Sequence, residues 1–264
     1  MGATIMGLKI CSFNIRYDNP NDGINSFENR KDLILREFPK YEADVVGFQE
    51  VLPHMRDWLE ESMPDYTVVG TGRAADRGGE HTCIAYRTDR FLLVSLYTFW
   101  LSDTPSIPGS RFGTDQSRNP RICTAAVLME RESGKLLRVY NTHLDHLGEL
   151  AKAQGITQVL AHIAQDDLLY PDVRVVLTGD FNAKPDSPVV TSVCAFQSCG
   201  VNLRDVTAHA GDTFHAYRPW EISRKIDYIF TTAVSDSGKS KLLTDSEDGV
   251  YLSDHYPIMA EIEI

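Results

Sequence analysis

The sequence contains no run of about 18 apolar residues, the length that a membrane-spanning helix needs. Its first residues lack the basic region and the long apolar core of a secretory signal. We therefore expect no membrane span and predict a cytoplasmic protein. Basic residues are also scarce, because 26 Lys and Arg stand against 37 Asp and Glu, a formal net charge of −11. Phosphate neutralisation supplies most of the affinity for long nucleic acids, so this charge disfavours a long DNA or RNA partner.

A small or focal phosphate substrate is still compatible with this charge, provided that metal ions offset the local carboxylates. Neither an internal repeat nor an interdomain linker is visible in the 264 residues. Length alone allows one or two domains. We predict one domain over residues 1–264, with residues 1–7 as a flexible N-terminal extension, and the sequence implies no protein partner.

Cysteine is too sparse and too dispersed to indicate a disulfide framework. The odd number of cysteines and their position, mostly within apolar stretches, instead predict reduced thiols in the core. The five cysteines are Cys11, Cys83, Cys123, Cys194 and Cys199.

Hydrophobic periodicity predicts an α/β protein. Helices are expected from Ser26 to about Pro39, from Pro53 to about Ser62, over Leu150–Ala164 and over Ser187–Phe196. Consecutive strands also follow one another closely enough to pair as hairpins, so the sheets should be mixed. The predicted strands are Leu8–Ile15, Val45–Gln49, Tyr66–Val69, Cys83–Arg87, Phe91–Leu101, Ile122–Glu130, Leu136–Thr142, Val173–Gly179, Ile226–Thr231 and Pro257–Ile264.

Two further features of the pattern make specific predictions. Segments Ser102–Pro120 and Ser235–Gly249 are rich in turn-forming or polar residues and should be long loops, which are often functional. One face of the helix over Leu150–Ala164 is expected to be buried. That face comprises Leu150, Ala153, Thr157, Leu160, Ala161 and Ala164.

Carboxylate, amide and imidazole side chains recur at the ends of the predicted strands, where a sheet delivers residues into a crevice. Each of them alone could be a cap or a turn residue. Their coincidence at six strand ends favours a shared site. Oxygen donors suit Mg²⁺ or Mn²⁺, and histidines without paired cysteines argue against structural zinc. The side chains are Asn14, Glu50, Asn141, His143, Asp180, Asn182, Asp227, Asp254 and His255.

Six short blocks resemble the signatures of the endonuclease/exonuclease/phosphatase superfamily, and they occur in family order over nearly the whole chain. The resemblance implies a DNase I-like fold, a four-layer α/β sandwich of two mixed sheets flanked by helices. It also implies divalent-metal-dependent hydrolysis of a phosphoester. The blocks are SFNIR (12–16), GFQEV (47–51), NTHLDH (141–146), GDFN (179–182), IDYIF (226–230) and SDHYP (253–257).

The resemblance assigns the metal to Glu50, the glutamate of the QE block. Asn14 and Asp254 are the further metal ligands that we predict. Asp180 and Asn182 can also enter the coordination shell, depending on how many ions bind. We expect Mg²⁺ or Mn²⁺, which polarises a phosphoryl oxygen and absorbs developing charge.

The catalytic roles follow from the needs of phosphoester hydrolysis. His255 is the candidate general base, with Asp227 accepting its other ring proton and fixing the tautomer. Asp180 would orient the attacking water, and Asn182 would donate to a non-bridging oxygen as charge grows. By resemblance, His143 binds the phosphate or protonates the leaving oxygen.

Substrate-binding candidates have weaker signals. Arg118 and Arg121 could clamp phosphate groups, or be ordinary surface charges. Glu80 is a candidate to hold His143. His215, in a loop that the family often uses at the rim of its cleft, could contact substrate or merely pack.

The leading hypothesis is a Mg²⁺- or Mn²⁺-dependent hydrolase of ester bonds that cleaves a phosphodiester by in-line attack of an activated water. The alternatives within this chemistry are a nuclease acting on DNA or RNA and a phosphatase of a small or lipid-headgroup phosphate. A non-catalytic binding protein with the same fold is a remote alternative. A glycosidase using two of the carboxylates would work in EDTA, but it leaves the histidines and asparagines unexplained.

Overall fold

The computed structural model describes residues 7–198, 201–233 and 239–264. The flexible extension predicted for residues 1–7 lies outside these ranges except for Gly7, which pairs with Glu263 in the first strand. Cys199 and residues 235–238 of the second predicted loop also lie outside the described residues.

Helices and strands alternate largely as the periodicity predicts. The helices are α1 (Phe27–Glu37), α2 (Pro53–Ser62), α3 (Glu149–Asp167) and α4 (Pro188–Ala195), with short 3-10 helices over Pro20–Asn25 and Phe38–Tyr41. The strands are β1 (Gly7–Asn14), β2 (Val45–Val51), β3 (Tyr66–Val69), β4 (His81–Arg87), β5 (Phe91–Trp100), β6 (Ile122–Glu130), β7 (Leu136–His143), β8 (Arg174–Asp180), β9 (Gln197–Ser198), β10 (Val201–Asn202), β11 (Arg204–Asp205), β12 (Asp227–Thr231), β13 (Lys241–Leu242), β14 (Ser246–Glu247), β15 (Val250–Tyr251) and β16 (Ile258–Glu263).

Two six-stranded sheets form the centre of the molecule, in the orders β13-β16-β1-β2-β4-β3 and β11-β12-β8-β7-β6-β5. Both sheets are mixed, because β1 and β2 run parallel, as do β7 and β8, while their other neighbours are antiparallel. One apolar core lies between the sheets, and two more pack helices α1 and α2 on one outer face and α3 and α4 on the other. The predicted four-layer α/β sandwich is confirmed.

Asn141 ties the two sheets together at the buried interface between them. Its side-chain amide donates to the backbone oxygens of Phe48 and Cys83, at 2.7 and 2.8 Å. Its oxygen accepts from Gln49 Nε2 at 2.7 Å and from Thr178 Oγ1 at 3.1 Å. All four hydrogen-bonding positions of the amide are therefore used in holding strands in register.

The buried face predicted for α3 is mostly wrong, since only Leu160 is buried and Ala153 and Ala164 are half-buried. Leu150, Thr157 and Ala161 are exposed, whereas Ile156, Val159 and Ile163 are buried. Alanine occurs on both faces of the helix, because Ala151 is buried and Ala161 is exposed. The bulkier aliphatic side chains therefore take the sheet side, where they fill the space against β-strands.

Cys11, Cys83 and Cys123 are free and buried, as predicted. Cys194 is also free, but it is exposed on α4, so the prediction of a core thiol fails there. Among the described residues, we find no helix that is long and apolar enough to cross a membrane.

Candidate active site

The register of the second sheet places three predicted catalytic side chains side by side. His143 at the end of β7 pairs with Asp180 at the end of β8, and Asp180 pairs with Asp227 at the start of β12. Because β7 and β8 are parallel, their carboxyl ends lie at the same edge of the sheet. Strand pairing thus brings together side chains that lie up to 84 positions apart in the sequence.

Asn14 joins this edge to the corresponding edge of the first sheet. Its Nδ2 donates to Glu50 Oε1 at 3.1 Å and to Asp180 Oδ2 at 3.0 Å. Its Oδ1 accepts from the backbone nitrogen of Arg16 at 3.0 Å, which fixes the orientation of the amide. Asn14 therefore holds two carboxylates, one from each sheet, with a single buried side chain.

Glu50 lies in a strained stretch of backbone. Its φ of 65° is in the left-handed region, and the β2–β4 register shifts between Phe48 and Val51. A bulge of this kind re-aims a side chain, and strained backbone is found disproportionately at functional sites. The carboxylate of Glu50 also accepts from the backbone nitrogen of Tyr17 at 3.0 Å.

His255 lies between two carboxylates. Its Nδ1 is 2.8 Å from Asp227 Oδ2, and its Nε2 is 3.8 Å from Asp180 Oδ2. The ring of Phe214 covers it, with the ring centroids 4.8 Å apart. The other oxygen of Asp227, Oδ1, is buried without a hydrogen-bond partner.

The electrostatics of this cluster are strongly shifted. Burial lowers the pKa of His255, but Asp227, Asp254 and Asp180 outweigh burial and raise it to about 10. Burial, followed by the charge of Asp227, raises the pKa of Asp180 to about 7. Carboxylates at this end of the site therefore outnumber the cations that the protein supplies to them.

His143 has the opposite environment. Its Nε2 is 3.4 Å from Asp180 Oδ2 and 3.2 Å from Asn182 Nδ2. Burial lowers the pKa of His143 well below its ordinary value, and the guanidinium groups of Arg121 and Arg73 lower it further. A neutral imidazole is suited to hydrogen bonding with a phosphate rather than to delivering a proton.

Asp254 is buried beside an arginine that the sequence reasoning did not single out. Arg16 Nη1 is 3.6 Å from Asp254 Oδ2, and the same guanidinium forms a two-point contact with Asp22 at 2.8 and 3.0 Å. Burial raises the pKa of Asp254 despite this arginine. The signal was present in the sequence, since Arg16 ends the SFNIR block.

The four predicted substrate-binding residues divide into two groups. Arg121 and Glu80 line the cleft in front of His143. Arg118 is exposed and lies outside the cleft lining. His215 is buried behind the lining, with its ring stacked on Tyr256 at 4.1 Å. Glu80 contacts Arg73 at 2.6 Å, rather than hydrogen-bonding His143 as predicted.

Most of the predicted site residues line one cleft of about 700 Å³. A smaller pocket, with room for about one water molecule, lies against Glu80, Arg121 and His143. The cleft lining includes the predicted residues Glu50, His143, Asp180, Asn182, Asp254 and His255. The predicted residues from both sheets thus reach a single concave site.

The sequence profile of the Endonuclease/Exonuclease/phosphatase family matches residues 11–255. The chain belongs to this family. Members of the endonuclease/exonuclease/phosphatase family include nucleases and phosphatases, and the family resemblance of the six sequence blocks is thereby confirmed.

Solved structures of this family superpose on nearly the whole chain. An endonuclease/exonuclease/phosphatase from Bacteroides vulgatus is 31% identical, with a TM-score of 0.89, and the match covers 98% of this chain and 99% of that one. A mannosyl-6-phosphatase from Bacteroides thetaiotaomicron is 28% identical, with a TM-score of 0.85, and the match covers 97% and 99%.

Curated relatives are more distant. An uncharacterised protein of Acanthamoeba polyphaga mimivirus is 26% identical over 166 residues, which are 60% of this chain and 60% of that protein. The chain spans between 42% and 60% of the length of the curated relatives that it matches.

The donor set of this family member fits a hard divalent cation. Glu50, Asp180 and Asp254 supply carboxylate oxygens, the ligand type that Mg²⁺ and Mn²⁺ prefer. Burial is the main cause that raises the pKa values of Asp180 and Asp254, so a cation beside them would favour their charged forms. Ligand atoms of Glu50, Glu80 and His143 lie within 4.8 Å of one another, as do those of Asp180, Asp227 and His255.

Proposed function

We propose that this chain is a divalent-metal-dependent phosphoesterase that hydrolyses a phosphate ester of a small organic molecule. The observation that carries the proposal is the position of His255, with Asp227 2.8 Å from one ring nitrogen and Asp180 3.8 Å from the other. This arrangement orients an imidazole toward a buried carboxylate inside a cleft, as water activation requires.

Glu50 and Asp254 are the metal ligands that we propose, for Mg²⁺ or Mn²⁺. Asn14 keeps Glu50 beside Asp180 through its two hydrogen bonds at 3.1 and 3.0 Å. Its amide oxygen is held by the backbone nitrogen of Arg16, so we propose Asn14 as a positioning residue for the ligands. When bound, such a cation supplies positive charge that offsets the charge of the phosphoryl oxygens.

Asp180 is the proton acceptor that we propose, because its pKa is about 7, whereas His255, with a pKa of about 10, is already charged and stabilises the carboxylate beside it. A water molecule held by Asp180 Oδ2 attacks phosphorus, its proton passes to Asp180, and the bond from phosphorus to the leaving oxygen breaks. Asp227 holds the His255 ring through the 2.8 Å contact to Nδ1. The leaving oxygen takes up a proton from solvent.

His143 and Asn182 stabilise the phosphoryl group. Both line the cleft, and Asn182 Nδ2 lies 3.2 Å from His143 Nε2. The backbone nitrogen of Asn182 donates to Asp180 Oδ1 at 2.9 Å, so the amide group is held close to the attacking side. Of the two roles predicted for His143, its neutral state favours phosphate binding over protonation of the leaving oxygen.

The dimensions and charge of the molecule support a small substrate. A cleft of about 700 Å³ has the size of a small-molecule site. The net charge of −11 disfavours long polyanions. The 28% identical Bacteroides protein is named a mannosyl-6-phosphatase, which favours a phosphomonoester. Phosphodiester hydrolysis, including nuclease activity, is the second candidate, because the family contains nucleases.

One panel tests the proposal and separates its two candidates. Sugar phosphates, bis-p-nitrophenyl phosphate, single-stranded and double-stranded DNA, RNA and phosphoinositides are each assayed with Mg²⁺, Mn²⁺ and EDTA. We expect phosphate to be released from small phosphomonoesters, and we expect EDTA to abolish this release. Cleavage of polynucleotides that falls steeply as salt rises would favour the nuclease instead.

A further inference from the structure

The two ends of the cleft differ in their charged groups. At one end, His255 lies among the carboxylates of Asp227, Asp254 and Asp180, which raise its pKa to about 10. At the other end, Arg73 and Arg121 line the cleft together with Glu50, Glu80 and His143. The proposed hydrolysis uses Glu50 and His143 but leaves both arginines without a role.

Arg121 is buried but short of hydrogen-bond acceptors. The residue is 4% exposed, and its Nε and Nη1 have no hydrogen-bond partner. Its Nη2 contacts His146 Nδ1 at 3.0 Å, and its Nε lies 3.5 Å from Asp145 Oδ1. Buried guanidinium donors that lack acceptors are costly, so such a group favours an anionic ligand.

Asp145, the acidic neighbour of Arg121, is already occupied by other donors. It accepts from the backbone nitrogens of Ser117, Leu147 and Gly148 at 3.0, 3.1 and 2.8 Å, and from the Ser117 hydroxyl. Through these hydrogen bonds, the Asp145 carboxylate holds the loop before β6 and the start of α3 in place. The positive charge of Arg121 is therefore only partly offset.

Arg73 is fixed in place on the other side of the same pocket. Its backbone nitrogen donates to the backbone oxygen of Glu80 at 3.0 Å, and its own backbone oxygen accepts from Trp100 Nε1 at 2.7 Å. Its guanidinium pairs with Glu80 at 2.6 Å, which offsets one of the two carboxylates that line this pocket, and the other, Glu50, is the metal ligand that we propose. The pKa of His146 is lowered by burial and then by Arg121, which is consistent with a positive local field.

We propose that the Arg73–Arg121 end of the cleft is an anion subsite that binds a second phosphate or carboxylate group, carried by the leaving alcohol of the substrate. This inference rests on the proposed function. In an in-line displacement the leaving group points away from the attacking water. Since water is activated at the Asp180–His255 end, the leaving group extends toward the arginines.

Pairs of matched substrates test this proposal. Within a pair, one compound has a carboxylate where the other has a hydroxymethyl group, and each compound has a single hydrolysable phosphate. The pairs are 3-phosphoglycerate with glycerol 3-phosphate, and 6-phosphogluconate with sorbitol 6-phosphate. Phosphate release with Mg²⁺ at fixed ionic strength gives kcat/KM for each compound. In at least one pair we expect about a tenfold or greater preference for the carboxylate, the order that a charge-assisted hydrogen bond supplies.

Arginine variants show whether the preference arises at this subsite. Arg121→Gln and Arg73→Gln should reduce the preference to about threefold or less, and Arg121→Lys should give an intermediate value because it keeps charge without the planar fork. Arg77→Gln is the matched control, because Arg77 is exposed on the same loop as Arg73 and its substitution removes the same charge. It should keep the preference.

The outcomes are distinguishable. Equal kcat/KM within both pairs, or a preference that survives in both Arg121→Gln and Arg73→Gln, overturns the anion subsite and leaves the phosphoesterase intact. No metal-dependent phosphate release from any compound overturns the proposed function itself. If circular dichroism shows that Arg121→Gln does not fold, Arg73→Gln and Arg121→Lys still decide whether the carboxylate preference arises at this subsite.

Discussion

His143 and His255 face the same oxygen of Asp180, with their Nε2 atoms 3.4 and 3.8 Å away from it. Their pKa values nevertheless shift in opposite directions, down for His143 and up to about 10 for His255. Both rings are buried, so desolvation disfavours the charged form of each. The difference in pKa comes from the other charged groups around each ring, which are arginines for His143 and carboxylates for His255. Two histidines on one carboxylate are thereby given different charges and different tasks.

Asp227→Asn should remove most activity while leaving the fold intact. The change keeps the size of the side chain but loses the negative charge 2.8 Å from His255 Nδ1, which orients the ring and stabilises its positive charge. We expect kcat to fall by about 10²- to 10⁴-fold. Phosphate release measures the effect, and Asp89→Asn, an exposed change, is the control. Activity within about threefold of the unaltered protein would refute the role of Asp227.

Glu50→Gln should weaken metal binding directly. The neutral amide keeps the hydrogen bond from Tyr17 but removes one of the carboxylates that we propose as ligands. We expect the dissociation constant for Mn²⁺, measured by calorimetry without substrate, to rise by about tenfold or more. Glu60→Gln, exposed on α2, should bind Mn²⁺ like the unaltered protein. Equal affinity in the Glu50 variant would exclude this residue as a ligand.

Asn141→Ala should destabilise the fold rather than alter chemistry. The change leaves the backbone oxygens of Phe48 and Cys83 without their side-chain donor and opens a cavity between the sheets. We expect the free energy of unfolding to fall by about 3 kcal/mol. Urea denaturation measures it. A loss under about 1 kcal/mol would show that the sheets do not depend on this amide.

His162 should make stability depend on pH. Burial lowers its pKa, since the ring stacks on Phe99 with centroids 3.8 Å apart. The folded state thus binds its proton less readily than the unfolded chain, whose histidine pKa is about 6.5. The contribution is present above that value and is lost as pH falls through it toward the lower folded pKa. Urea denaturation at pH 7.5, 6.5 and 5.5 should show a smaller decline for His162→Gln, whereas equal declines would contradict this account.

Local patterns predicted most of the fold because they report one-sided burial. The bounds of α2, β3 and β6 agree with the periodicity to within a residue. The face of α3 could not be predicted in the same way. Its alanines occur on both the buried and the exposed face, and the volume available against the sheet decides which face is buried.

The site was predictable as a set of residues but not as a geometry. Polar side chains at strand ends marked Asp180 and His143, yet their contact depends on β7–β8 register, which no local pattern contains. No sequence pattern indicated that Arg73 would reach the site, because its position depends on backbone hydrogen bonds within the loop from Gly72 to Glu80. The burial of His215 depends equally on tertiary packing.

The most direct test compares phosphate release from small phosphate esters by the unaltered protein and by Asp180→Asn, each with Mg²⁺ and with EDTA. Asp180 contacts Asn14, Asn182 and both histidines of the cluster, so no other side chain is as central to the proposed chemistry. We predict metal-dependent release by the unaltered protein, abolished by EDTA and reduced by about 10³-fold in Asp180→Asn. Release that persists in EDTA, or in a folded Asp180→Asn variant, would contradict the account.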